Sequence, residues 1–417
     1  MRRALAVLAC LVAAAPAAAF DPDAVLDRLG ERLTLSTADG RFRAAVSGLA
    51  DLEGWYVDQR PPGIVFGDGA SFANPRLTLF LDAHAGRRLY AFVQARVDRG
   101  FDPREVHGAE ARADEYLVRW SPLGPTRLHL QVGKFATAIG NWVGRHLSWD
   151  NPLVTAPLPY ERITGVTDGV APNSTEELVA RRDLPDNKPA WVPIIWGPNY
   201  AAGASAFGRI DRVDWALEVK NAAPASRPYE WNPVDRGWRE PTVTGHLGWS
   251  PSAAWALGLS ASSGPYLREA TQLAQGQRTR DFRQILAGAD ARWAWRKLEL
   301  WSELYFSRFE VPILNAVSRR PATSIDADVM AWYVEGRWKL PHGVWLALRW
   351  NQEWFAKVQP SRGEEVAWDR DTWRMDTGIG WRAGRYFQAK LQYAFNHQNG
   401  PLQQGEQLVV AQLTLRF

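Results

Sequence analysis

Residues 406–417 read Glu-Gln-Leu-Val-Val-Ala-Gln-Leu-Thr-Leu-Arg-Phe, and the last six alternate strictly, Gln412, Thr414 and Arg416 against Leu413, Leu415 and Phe417. Successive side chains of a strand point to opposite faces, so this segment sets one apolar row and one polar row against two different media. Any half-buried strand alternates. The weight of this one therefore depends on the rest of the chain.

The other end is an export signal. Arg2 and Arg3 precede an apolar run from Ala4 to Ala15, and Ala17-Ala18-Ala19 offers a small-residue cleavage site before Phe20. Residues 1–19 are thus expected to be removed. The run is too short to cross a bilayer as a helix, and no other stretch approaches eighteen uninterrupted apolar residues. Lipid attachment at Cys10 is a weaker alternative, because the apolar run continues past it. Cleavage removes the single cysteine, leaving no thiol for a disulfide, a metal or catalysis. It also removes two arginines, so the formal charge falls from +4 to +2, and no polyanion such as nucleic acid is expected as a partner.

There are 22 Trp and only 3 Met, and the mean hydropathy is −0.31. A transmembrane barrel needs apolar residues only at alternate positions, so its mean hydropathy resembles that of a soluble protein. Period-two windows fall near 41–50, 75–83, 87–97, 112–121, 126–135, 200–208, 212–221, 241–250, 254–263, 281–293, 296–308, 328–339, 343–354, 371–382, 386–396 and 406–417. The gaps between these sixteen windows are alternately short and long. Seven tight turns on one side and eight long loops on the other suit an antiparallel series with both termini on the tight-turn side. The expected fold is all-β, a transmembrane antiparallel β-barrel of about 16 strands over residues 41–417. Residues 20–40 form a short periplasmic segment, with one amphipathic helix through Val25, Leu26, Leu29 and Leu33.

Trp120, Trp249, Trp293, Trp338 and Trp381 each end a strand at or just before a short turn, in register with its apolar row. An indole at the edge of an apolar band keeps its ring in the interface and its N–H toward water, so these five predict a periplasmic girdle. The opposite rows are polar and large: Gln388, Lys390, Gln392 and Asn396 face away from Phe387, Ala389, Leu391, Tyr393 and Phe395. Lipid outside and a wet lumen inside accounts for both rows, and sixteen strands leave room for an aqueous channel. A charge at Leu391 should then be rejected and one at Gln392 tolerated.

The third long connection, 136–199, follows Val132-Gly133-Lys134-Phe135 and is far longer than an ordinary loop. With the terminal Phe417, this Gly-Lys-Phe strand end and the order of loops, the chain resembles the sixteen-stranded porins of Gram-negative bacteria, general and phosphate-selective alike. The resemblance covers essentially the whole mature chain in architecture. It implies a third external loop folded inward as a constriction, a homotrimer in the outer membrane, and Phe417 as a signal to the barrel-assembly machinery. It also implies passage of ions or small hydrophilic solutes.

Candidate constriction residues are Arg145, Arg162, Arg181, Arg182, Asp150, Glu161 and Asp168 in the loop, with Arg88, Arg96, Arg119 and Arg127 on the wall. The predicted lumen rows hold more basic than acidic residues, which points to a weak anion preference. The same charges could instead pair along the wall and hold the loop. Likewise Trp142, Trp149, Tyr160, Trp191 and Trp196 could line a slide for sugars or pack the loop onto the wall.

No catalytic residues emerge from the sequence. The seven histidines are scattered without metal-ligand spacing, and no nucleophile elbow, Walker loop or dinucleotide fingerprint is present, so neither metal nor cofactor is expected. An outer-membrane enzyme and a plugged barrel that docks a partner stand as alternatives to the channel.

Overall fold

The structure, a computed structural model, describes residues 22–58, 63, 70–98, 110–184, 186–228, 238, 240–314, 324–360, 363–400 and 406–417. The expected signal peptide, 1–19, lies outside these. Sixteen strands form the wall: β1 Phe42–Val57, β2 Ser71–Ala85, β3 Leu89–Asp98, β4 Glu110–Trp120, β5 His129–Phe135, β6 Ala201–Ile210, β7 Val213–Lys220 and β8 Thr242–Ser252. They continue as β9 Trp255–Pro265, β10 Arg283–Trp295, β11 Leu298–Pro312, β12 Ser324–Lys339, β13 Val344–Phe355, β14 Thr372–Ala383, β15 Phe387–Gln398 and β16 Glu406–Arg416. Each pairs antiparallel with its chain neighbours, and β16 pairs with β1 from Leu408↔Val57 to Arg416↔Leu49. The sheet is a closed barrel with no free edge.

The seam is tight at its end. Phe417 and Gly48 exchange backbone hydrogen bonds of 2.9 and 3.1 Å. The Phe417 ring lies where a Cβ on Gly48 would stand, 2.5 Å from its Cζ.

Several strands run further toward the long connections than their sequence windows. β1 continues to Val57, β11 to Pro312, and β2 begins at Ser71 although Pro75 interrupts its pattern. Pro75 lacks the N–H that a ladder position donates and so hides a strand start, yet it sits in register with Leu52.

One face of the wall is apolar and exposed, the other polar and buried. On β15, Leu391 is 50% exposed and Gln392 is 1% exposed. Trp120, Trp249, Trp338 and Trp381 are half-exposed at the short-turn ends. Trp293 is more covered because it packs on Trp255 and Trp295, with ring centroids 6.1 and 6.4 Å away, and both of those indoles are themselves exposed. An apolar outer band with indoles at its edge is the surface that lipid requires.

Helix α1, Pro22–Arg32, precedes the barrel on the short-turn side. Thr34–Ser36 adds a short strand beside β1, and Asp27 pairs with Arg385 at 2.7 Å in the turn between β14 and β15.

Candidate functional site

A long connection without regular structure carries backbone N–H and C=O groups that must find partners once buried. In the segment 136–199 the wall supplies them. Gln392 Oε1 accepts from Val154 N at 2.7 Å and Thr155 N at 3.1 Å. Asn351 Oδ1 accepts from Leu158 N at 3.1 Å, and Trp345 Nε1 donates to Pro152 O at 3.1 Å. Arg349 donates to Thr155 O at 3.1 Å and Ala156 O at 3.0 Å while pairing with Glu335 at 3.1 Å and Asp376 at 2.9 Å. The polar inward row of β10–β15 thus stands in for water along the connection.

One carboxylate collects several of these bonds. Glu303 on β11 accepts from Asn141 N, from Trp142 N at 2.7 Å and from Tyr160 Oη at 2.8 Å. Gly140 reaches this place with φ +68°, and a Cβ there would lie 2.6 Å from Glu303 Oε1 and 2.2 Å from Tyr305 Oη. Only glycine fits both the backbone angle and the space. Two short helices shape the rest: α2, Leu158–Glu161, and α3, Thr175–Ala180, whose Ser174 cap accepts from Glu177 N at 3.2 Å.

Most of the predicted loop residues act as fasteners. Arg145 pairs with Glu335 and donates to Tyr333 Oη at 3.2 Å. Arg162 pairs with Glu353 at 3.2 Å and Asp369 at 3.3 Å, Glu161 with Arg374, and Asp168 with Arg268 at 3.1 Å. Arg181 bonds Glu177 at 3.2 Å, and Arg182 donates to Ala367 O. Asp150 is exposed and lines a separate 150 Å³ cavity with Trp149, Arg416 and Phe417. The loop aromatics are buried, with the Trp142 and Tyr160 rings 4.5 Å apart, so they pack the connection onto the wall.

Opposite this fastened half, a cavity of about 80 Å³ lies between the connection and strands β1–β5 and β16. Its wall carries Asp51, Glu53, Arg76, Arg96, Arg112, Asp114 and Lys134, and the connection adds Trp142, His146, Ser148, Glu161 and Trp196, with Tyr200 following it. Arg76 pairs with Asp51 at 3.1 Å and Glu53 at 2.7 Å. Arg96 pairs with Asp114 at 2.7 Å, and Arg112 with Asp98 at 3.1 Å and Asp114 at 3.0 Å. Burial pushes the His146 pKa down to about 4, and its Nε2 lies 2.7 Å from Tyr200 Oη. The ring is therefore neutral near pH 7.

Of the predicted wall residues only Arg96 reaches this cavity. Arg88 and Arg127 lie in exposed short turns, not on the inward rows. Arg119 stays near its turn, donating to Gln131 Oε1 at 2.8 Å with its guanidinium 5.1 Å from the Tyr90 ring and 5.0 Å from that of Phe207. The expected basic excess also disappears at the cavity, because Asp51 and Glu53 lie outside the sequence windows and Asp114, though inside one, falls on the row opposite Glu115. The first two lie past residue 50, where the window closed. Asp114 is the extra residue of a bulge, since Gln94 pairs with Glu115 and Ala95 with Ala113. Gly133, at φ +141°, breaks the alternation again and turns Lys134 inward.

Gln392 faces inward as expected, and its side chain is in addition committed to the connection through Val154 N and Thr155 N. Among the described residues no group of three or more His, Cys, Asp or Glu is placed to hold a metal ion.

In comparison with known proteins, no family model matches the chain and no curated protein matches it in sequence. Solved structures do match. OmpT of Vibrio cholerae, an outer membrane protein folded in vitro, has a TM-score of 0.54 at 8% identity, covering 92% of this chain and 99% of that one. Salmonella typhi OmpF in complex with daunomycin has a TM-score of 0.54 at 8% identity, covering 92% and 100%. A trimer form of Vibrio cholerae OmpT has a TM-score of 0.50 at 9% identity, covering 90% and 99%. At such identities the likeness is one of fold, and it agrees with the lipid-facing band: the chain is an outer-membrane β-barrel of the Gram-negative type.

Proposed function

We propose that this barrel is a passive diffusion channel, and that small hydrophilic solutes cross it between the 136–199 connection and the wall formed by β1–β5 and β16. The cavity on that side carries the reading. Its lining is charged and hydrogen-bonding, it has room for water, and the connection is tied to the opposite half of the wall. A space lined in this way favours water and polar solutes over lipid. Recording from purified protein in planar bilayers should give discrete conductance steps. Heat-modifiable, folded protein that gives none overturns the channel.

A second reading is a barrel closed by its own connection that serves a partner. The many wall side chains spent on the connection favour it, and it predicts the same fold without steps, so one recording separates the two. The trimer form of Vibrio cholerae OmpT supports a homotrimer here as well, and chemical cross-linking in mild detergent should then end at three copies. In this reading the short turns and both termini face the periplasm, and the barrel-assembly machinery recognises the end of β16 at Phe417.

A further inference from the structure

We propose that the solutes favoured by this passage are small zwitterions, bearing an ammonium and a carboxylate on one short skeleton, rather than simple anions. The proposal rests on the channel reading and adds the class of solute.

The first ground is the order of charge along the wall. Arg76 sits between Asp51 and Glu53, at 3.1 and 2.7 Å, on neighbouring strands. Beside it, Arg96 and Arg112 both reach Asp114, at 2.7 and 3.0 Å. With Lys134 and Glu161, the described lining holds four basic and four acidic side chains, and His146 is neutral. A simple anion passing this surface gains at each arginine what it loses at the adjoining carboxylates. A zwitterion meets both signs within its own length and exchanges a hydrogen bond with each.

The second ground is the opposite side of the cavity, where Trp142, Trp196 and Tyr200 present rings. The charged group of the described lining on that side, Glu161, is paired with Arg374, so the strip of wall is left to serve both charged ends of a solute. The third ground is size. At roughly 10–15 Å³ of such volume for one water, about 80 Å³ admits a handful of waters or one solute of a few heavy atoms.

The test compares alanine, lactate and glycerol, which have the same number of heavy atoms and differ in charge. Tracer uptake into proteoliposomes should be fastest for alanine, by about threefold over lactate and glycerol, the size of one screened charge pair. Neutralising one sign should shift selectivity in opposite directions. Asp114→Asn should move the reversal potential toward anion preference and Arg96→Gln toward cation preference, and each should lower the alanine-to-glycerol ratio. Lactate or glycerol entering as fast as alanine overturns the inference and leaves the channel standing. No uptake of any of the three above protein-free liposomes overturns both.

Discussion

On β12–β14 one group of inward charges is sealed, whereas from β1 to β4 a comparable group lines a space. Arg349, Glu335 and Asp376 have 0% of their side chains exposed, while Arg76, Arg96 and Arg112 keep 9%, 8% and 6% open. In the first group Arg349 donates to the backbone of the 136–199 connection while pairing with Glu335 and Asp376, and the second group pairs across neighbouring strands. The residue types are the same. An inward polar row says only that lipid is elsewhere; the long connection decides whether that row meets backbone or solvent.

The comparison breaks most directly at Arg349. Arg349→Leu leaves buried carboxylates with fewer partners and should cost about 3–5 kcal/mol. The matching Arg76→Leu beside the cavity should cost less, about 1–3 kcal/mol, because its acids keep other donors: Trp55, Asn74 and Gln412 for Glu53 and Thr414 for Asp51. Urea titration of the folded barrel in lipid, followed by tryptophan fluorescence, measures both. Equal costs would mean that the two halves are not different in kind.

Next in size is the pair on β15. Leu391→Arg places a charge against lipid and should cost roughly 2–4 kcal/mol near the midplane. Gln392→Arg should let the barrel form but release the connection at Val154 and Thr155, and new protease cleavage within 136–199 would report it. Cleavage there in Leu391→Arg but not in Gln392→Arg contradicts the assignment.

A smaller effect sharpens the cavity's outline. Replacing Arg119 and Arg127 together by Gln should leave the reversal potential unchanged at low salt, because both sit by the short turn. Arg112→Gln should shift it toward cations. A large shift from the turn pair would place the selective region at that mouth instead.

The smallest effect lies outside the barrel. Tyr386 donates to Asp27 and the Arg385 charge lies beside it, which together hold the carboxyl below its ordinary 3.8. A depressed carboxyl contributes fully above its unfolded value, and the contribution is lost as pH falls through the lower native value. Helix α1 should therefore stay docked at neutral and mildly acid pH and loosen only below about pH 4. Pepsin cleavage within 22–41 against pH reads this, and Asp27→Asn should remove the dependence.

The wall was legible because lipid enforces alternation wherever it touches, as at Leu391 beside Gln392. The cavity was less so. Leu52, Gly54 and Tyr56 continue the outward row past residue 50, and Asp51, Glu53 and Trp55 the inward one, so a longer window would have found two of its acids. Asp114 and Lys134 lie where a bulge and Gly133 reset the phase, and no fixed period reaches them. Fastening residues such as Glu303 and Arg349 look like any other wall charge, because the groups they bind are backbone atoms a hundred or more residues away.

The contact between Phe417 and Gly48 also bears on how the barrel is made. Every other strand pair joins neighbours along the chain and can form as a hairpin or across one connection, but β1 and β16 stand at opposite ends of the sheet. Until they meet, a growing sheet carries two unpaired edges, each a template for another chain. The strands synthesised last are thus the ones that end the hazard. Delay at that step prolongs exposure of both edges at once, so a change that slows the final pairing is expected to raise the loss to aggregation.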